Sequence, residues 1–475
     1  MVNSIIRANI SLVNGSSVIV AVGAGTFVFS AQLASLIVAL PSMAEFLQPF
    51  SPDWALTTYL LSLAALLLLF GRAGDIIGNK RFYVAGLVAF LGASILCAVA
   101  TSSAAFLAGR IVQGIGAALS AANSPVILTR SVSPLRRGRA LGYQAAITYL
   151  GLTIGPGVGA FAVKHFNWRG LFWLNVPLGL VAILLAFISI PPDTVPAASL
   201  KRLRLLDTAV WLVCLLPLLL ALNRGAQWGW RSPSICGLIF LSVIAFTSFL
   251  VIESRSSGPL LDLALLRNRV VLTSIACEGL FYVELYAIGF LLPMLVVRGR
   301  GYSAASVGTL LTAQSLTRIF AAPIGGIASD QWGTRKILLT AAGCAGLGAL
   351  ALLCTFRTGS IFSIGVAVVL VGLGTGIFVP VNISRLFSHV SPRDRGMASG
   401  VMATTRNLGM MLGVAVAAAV YFTFAPGVTS GVAALAGSKM GLSFVFVLSC
   451  VIVIANLLPS PAKVPFIVRN VLVKM

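Results

Sequence analysis

The chain has 475 residues, 58% of them hydrophobic and 9% charged, with a mean hydropathy of +1.01. This excludes an ordinary water-soluble globule; apolar runs of about 18 to 25 residues, without the alternation of barrel strands, predict an all-α polytopic membrane protein. The net charge of +22 raises nucleic acid as a partner, but the basic residues sit in short loops between apolar runs, where they set orientation instead.

No cleavable signal peptide is expected, since the first apolar run continues to full spanning length. Fourteen spans are expected, at roughly 18–42, 54–71, 82–101, 104–128, 139–162, 169–190, 206–223, 233–252, 270–297, 303–328, 335–355, 360–384, 396–424 and 438–458. An even number puts both termini on one side. With cytoplasmic termini, 22 of the 33 Lys and Arg residues fall inside, 8 outside, and 3 within spans: Arg110, Arg318 and Arg406. The excess predicts a cell-membrane protein with both termini in the cytoplasm.

Between the second and third spans, Gly71, Asp75, Gly78, Lys80 and Arg81 recur as Gly326, Asp330, Gly333, Arg335 and Lys336, at an offset of 255 residues. The segment reads as a tight turn: glycine permits close approach and positive φ, the basic pair holds the aqueous face, and the acid suits a neighbouring helix N-terminus. A second echo is longer. Val132-Ser133-Pro134, Arg137-Gly138, Ala140 and Gly142 recur as Val390-Ser391-Pro392, Arg395-Gly396, Ala398 and Gly400, at offset 258. Gly114, Gly116, Gly151 and Gly155 recur as Gly372, Gly374, Gly409 and Gly413 at the same offset.

Two homologous halves therefore flank two spans with no counterpart. The expected domains are a six-helix bundle over residues 1–195, a two-helix insertion with linkers over 196–256, and a six-helix bundle with a short tail over 257–475. Parallel half-repeats imply a central cavity and rocking of one bundle against the other.

With its paired loops and the stretch Arg110-Ile111-Val112-Gln113-Gly114-Ile115-Gly116, which is similar to an arginine motif on the fourth span, the chain resembles the major facilitator superfamily over nearly its whole length. Gly151-Leu152-Thr153-Ile154-Gly155-Pro156-Gly157-Val158-Gly159 resembles the antiporter signature, although small residues also serve plain helix packing. Trp168 to Gly179, Trp228 to Pro233 and Pro259 to Leu263 resemble the fourteen-span drug:proton antiporters of the QacA/EmrB type. The resemblance implies a major facilitator fold of 6+2+6 helices, a monomer, and proton-driven export of hydrophobic or amphiphilic molecules. It also implies gating by Asp75, Asp330 and their basic neighbours.

The sequence departs from that branch at its first span, where Gln32 stands nine residues before Pro41 in the place of an acid. Two carboxylates lie deep in predicted spans, Glu278 and Glu284, and a membrane-embedded acid marks a pathway or a partner. Six residues apart, they point about 120° away from each other. Glu284, near the middle of its span, is the leading proton-coupling candidate, with an ion pair to Arg318 as the alternative. Arg110 assists proton transfer by resemblance, or is a hydrogen-bond hub. Arg406 has Thr148 as its repeat counterpart; facing the pathway it would disfavour cations and favour an anionic substrate, while snorkelling or pairing with Glu284 is the plainer alternative. Tyr143, Tyr149, Phe281, Tyr282, Tyr286 and Phe290 are candidate cavity residues, and the seven tryptophans a candidate interfacial belt.

No enzyme is expected. His165 and His389 fall in loops on opposite sides, the seven cysteines are scattered without a metal spacing, and no phosphate loop occurs, so neither metal nor cofactor is implied. A facilitator or symporter on the same fold, for example for an anionic metabolite, is the main rival, and a non-transporting receptor a more distant one.

Overall fold

The computed structural model describes residues 15–193, 205–256, 259–356, 360–425 and 431–457. Within them the chain forms long helices: α1 (Gly15–Ala39), α2 (Trp54–Ile77), α3 (Asn79–Val99), α4 (Ser103–Ser131), α5 (Arg137–Ser189), α6 (Leu205–Trp228) and α7 (Pro233–Ser254). These continue as α8 (Arg269–Pro293), α9 (Ala304–Trp332), α10 (Thr334–Thr355), α11 (Ile361–His389), α12 (Arg395–Phe424) and α13 (Gly431–Leu457). Many begin at a capping side chain: Ser102, Ser232, Asn268, Ser303 and Ser360 each accept a backbone N–H of the first turn.

Twelve segments are long and apolar enough to cross a membrane. Two more spans complete the fourteen. The 53-residue α5 bends at Asn167, whose φ of 60° breaks the helical path between two span-length limbs. α9 has 29 residues, but Gln314, Arg318 and many Gly, Ser and Thr residues lower its hydropathy. The protein is thus a multi-pass membrane protein, all-helical among its described residues. The expected domain junctions at 195/196 and 256/257, both termini and the C-terminal tail lie outside the described residues.

The turn expected across 71–81 is smaller than the spacing implied. Nothing from Arg72 to Ile77 breaks a helix, so α2 runs on through Asp75, and the chain reverses at Gly78, φ 135°. The repeat does the same at Gly333, φ 87°. A side chain would strain either position.

The interior of each bundle is set by close backbone approach, which small residues permit where lipid supplies no hydrophobic drive. A Cβ on Gly116 would lie 2.7 Å from the Gly86 carbonyl oxygen of α3, and one on the repeat-related Gly374 would lie 2.6 Å from that of Ala341 on α10. The glycines of the antiporter-like stretch seat α5 on α1: a Cβ on Gly155 would meet Ala31 O and Ala34 Cβ, each at 2.7 Å, and Gly159 would meet Ser35 O at 2.6 Å. Ser35 Oγ also donates to Gly155 O at 2.7 Å. Gly409 and Gly413, the repeats of Gly151 and Gly155, press α12 on α8 in the same way: a Cβ on either would lie 2.4 Å from the carbonyl oxygen of Gly279 or Val283. The same packing occurs with or without the proline, since Val414 stands where Pro156 stands in the first half.

The insertion attaches on one side. Trp211 Nε1 of α6 donates to Ala65 O of α2 at 3.1 Å, Thr57 Oγ1 donates to Asn223 at 3.1 Å, and Arg224 pairs with Asp53 at 2.6 Å. Trp211, Leu215, Leu219 and Phe249 share an apolar cluster with Leu68 of α2 and Met397 of α12. Of the expected aromatic belt, Trp211 and Trp168 are therefore buried; Trp168 packs edge-on against Phe106 and Phe172.

Candidate functional site

The two bundles meet at the end that carries the repeated loops. Asp75, at the last turn of α2, accepts the N–H groups of Gly396 and Met397 at the start of α12, both at 2.9 Å. Asp330, at the last turn of α9, accepts those of Gly138 and Arg139 at the start of α5, also both at 2.9 Å. Each acid thus satisfies orphan amides at the positive end of a helix in the other half. Arg72 pairs with Asp394 at 3.1 Å, and Arg130 approaches Asp75 at 3.8 Å while donating to Pro392 O at 2.8 Å.

Glycine allows this closeness. A Cβ on Gly71 would lie 2.1 Å from Gly396 O, and one on Gly326 would lie 2.2 Å from Gly138 O. The basic pairs do other work. Lys80 and Arg81 donate their backbone amides to Asp193, at 3.0 and 3.2 Å, and Lys80 Nζ reaches Phe187 O at 3.0 Å. Arg335 donates to Leu457 O at 2.7 Å. Lys336 is exposed.

Deeper in the membrane, the bundles face each other across a charged, aromatic cluster. Glu278 of α8 forms an ion pair with Arg406 of α12 at 3.3 Å, and its second oxygen accepts from Asn382 of α11 at 3.0 Å. Arg406 lies over the Tyr282 ring, 5.4 Å from its centre. Arg318 of α9 donates Nε to Thr375 Oγ1 at 3.0 Å and lies 5.8 Å from the ring centre of Tyr149, which belongs to the other bundle. The Tyr286 ring lies 6.5 Å from that of Tyr282, centre to centre.

Glu284 is elsewhere. It is 1% exposed and turned toward Ser449 of α13, inside the second bundle. Arg406, expected to pair with Glu284 if with any acid, takes Glu278 instead, and Arg318 takes no acid among the described residues.

Arg110 is fully buried in the first bundle. It donates Nε to Ala55 O at 2.8 Å and Nη1 to Gln113 at 2.5 Å, and sits 4.6 Å above the Tyr59 ring. Gln113 donates to Ser94 at 2.7 Å, and Asn175 bridges Ser94 to Gln32 at 3.4 and 2.8 Å. Gln32 and Arg110 thus end one polar chain across the bundle. Of the remaining aromatic candidates, Phe281 stacks on Phe378 at 4.1 Å, and Phe290 packs on Tyr421. Two apolar surface hollows of about 400 and 290 Å³, on the flanks of α3–α4 and of α1–α5, contain no ionisable group.

Asn382 and Thr375, which orient Glu278 and Arg318, carry no motif and no repeat counterpart of like chemistry. Gln113 and Asn175 lie within stretches that stand out in the sequence for other reasons.

Two helical bundles joined at one end, with charged side chains between them, define a secondary transporter rather than an enzyme. The family model of the Major Facilitator Superfamily matches residues 22–266 and 275–465, and the chain belongs to that family. It is 27% identical over 407 residues to the riboflavin transporter RibZ of Clostridioides difficile (strain 630), covering 84% of this chain and 86% of that one. It is 27% identical to the multidrug resistance protein Stp of Mycobacterium tuberculosis (strain CDC 1551 / Oshkosh), with 84% and 74% covered. Among solved structures, the human organic anion transporter MFSD10 (TETRAN) superposes with a TM-score of 0.66 at 20% identity, over 93% of this chain and 99% of that one. The proton:xylose symporter XylE does so with a TM-score of 0.63 at 14% identity, over 91% and 94%. These likenesses establish the fold.

Proposed function

We propose that this transporter exports small hydrophobic or amphiphilic molecules by proton antiport with alternating access, as a fourteen-span member of the QacA/EmrB branch. The observation that carries the reading is the pair of cross-bundle caps, Asp75 on α12 and Asp330 on α5. Both lie at one end, and both must break for that end to open. Breaking them while the opposite end closes is a rocking cycle about the central cluster.

Export of the multidrug type is supported by the names of several relatives, and the branch by the inserted pair of spans. The excess of Lys and Arg at the capped end supports a cytoplasmic location for it, in the cell membrane. Asp75, Asp330, the glycines at 71, 78 and 326, and the basic residues Lys80, Arg81, Arg335 and Lys336 serve gating. Glu284 is the proton-coupling group, since a buried carboxylate without an ion-pair partner is suited to exchange a proton. Glu278, Arg406 and Arg318 line the substrate path. Arg110 and Gln32 hold the first bundle's polar chain, while Gly151, Gly155, Pro156 and Gly159 hold α5 on α1. The protein acts as a monomer in this scheme.

Proteoliposomes with an imposed pH gradient test the reading. Addition of a transported amphiphile should release protons in wild type and not in Glu284→Gln; transport indifferent to the gradient and to that substitution would replace antiport with facilitation.

A further inference from the structure

We propose that the central cluster is built for an aromatic organic anion, held by its acidic group between Arg318 and Arg406 and by its ring among Tyr149, Tyr282 and Tyr286. The inference rests on the alternating-access reading and adds the substrate's charge and class.

It starts from the eleven acidic residues of the chain. Glu45, Asp53, Asp75, Asp193, Asp330 and Asp394 lie at helix ends or in loops; Asp207, Glu253 and Asp262 belong to the insertion and its linker; Glu284 faces α13. Only Glu278 reaches the space between the bundles, where two arginines stand. The site carries one net positive charge, and a cationic drug would add another in a medium that screens poorly.

Nor is Glu278 free to receive a cation. One oxygen faces Arg406 at 3.3 Å and the other accepts from Asn382 at 3.0 Å. Arg318 is differently placed. Its hydrogen bond to Thr375 uses Nε, while Nη2 is buried with no hydrogen-bond partner. A half-buried guanidinium with one buried, unused donor and no counter-ion among the described residues is costly, and a carboxylate or sulfonate meeting its fork relieves that cost.

The rings set the rest of the ligand. Tyr149 comes from the first bundle, Tyr282 and Tyr286 from the second, so a flat aromatic body lying among them contacts both halves. Tyr286 is 38% exposed, and its ring centre lies 6.5 Å from that of Tyr282. Arg318 already spans the bundles through the Tyr149 ring, so an anion bound to it registers in both.

Carboxyfluorescein and rhodamine 6G share one ring system and differ in charge, which makes them the discriminating probes. Binding to purified protein is followed by fluorescence anisotropy, and efflux from proteoliposomes by fluorescence. Carboxyfluorescein should bind more tightly than rhodamine 6G. Arg318→Gln should weaken it by about tenfold or more, the loss of one charged fork, with Arg318→Lys losing less. Glu278→Gln should tighten it, because the opposing charge is gone. Melting curves of each variant show that the fold is kept, and the lysine variant separates charge from packing.

Tighter binding of rhodamine 6G, an Arg318→Gln variant with unchanged anion affinity, or a well-folded protein that binds neither probe would each overturn the proposal. Anion binding without transport would instead sink the transporter reading and leave the anion site standing. Proton-coupled transport confined to the cation would do the reverse.

Discussion

Asp75 Oδ1 and the amide nitrogen of Gly396 lie 2.9 Å apart although 321 residues separate them, and Asp330 and Gly138 repeat the contact with the halves exchanged. In the proposed rocking cycle the resting balance rests on these two contacts. A charge-assisted bond contributes about 1.5–3 kcal/mol. Asp75→Ala should therefore shift the balance between closed and open by about tenfold or more toward the open end, with substrate binding near normal and turnover lost. Spin labels at residues 81 and 393, in a background without the exposed Cys236 and Cys354, would report the separation. Abolished substrate binding would count against a gating role.

Gly71 makes the same point through volume. A methyl group there would sit 2.1 Å from the Gly396 carbonyl, which is backbone and cannot swing aside. Gly71→Ala should hold the end apart with Asp75 intact, and Gly326→Ala should do so at the other seam. Cysteines replacing Arg72 and Asp394, whose side chains meet at 3.1 Å across this seam, should cross-link in an otherwise wild-type chain and poorly with Gly71→Ala.

The proton step separates two acids on one helix. Glu284→Gln should abolish substrate-induced proton release and leave probe affinity within about twofold of wild type, as expected of a group outside the binding site. Equal proton signals in wild type and variant would move the coupling group elsewhere, with Glu278 the next to examine.

At the opposite end, Asp53 anchors the insertion. Burial pushes its carboxyl upward, but the Ser51 hydroxyl and the Arg224 guanidinium outweigh burial and hold it below its ordinary value. A lowered acid stabilises the fold above its unfolded value, about pH 3.9, and that contribution fades as pH falls through the lower folded value. Asp53→Asn should thus melt earlier than wild type at pH 7, because Arg224 is 2% exposed and loses its counter-charge. The two melting temperatures should converge below about pH 4. A gap that persists in acid would mean that Arg224 does not need the charge.

Some of this architecture is legible in the linear chain and some is not. Asp75 and Asp330 could be paired by offset alone, because a loop signature duplicated at constant spacing marks two equivalent helix ends. Their partners are visible too: Gly138 and Gly396 belong to the second echo. The pairing of Glu278 with Arg406 rather than of Glu284 with either arginine is not, since it depends on the rotation of α8 about its axis, which a uniformly apolar helix does not encode. The bend at Asn167 that divides α5 is legible as the break between the expected spans at 139–162 and 169–190, where Lys164, His165, Asn167 and Arg169 interrupt the apolar run. Asp207, buried at the start of α6, escapes notice because it stands where a span would be expected to meet water.

The attachment of α6 and α7 to α2 and α12 breaks the internal two-fold on the flanks of the molecule. One seam between the bundles is upholstered by two extra helices, while the seam of α5 and α9 presents Phe320 and Ile324 to the lipid, 67% and 63% exposed. In the proposed rocking cycle, bilayer thickness and acyl-chain order would bear directly on one seam and through a cushion on the other, loading a two-fold arrangement unevenly.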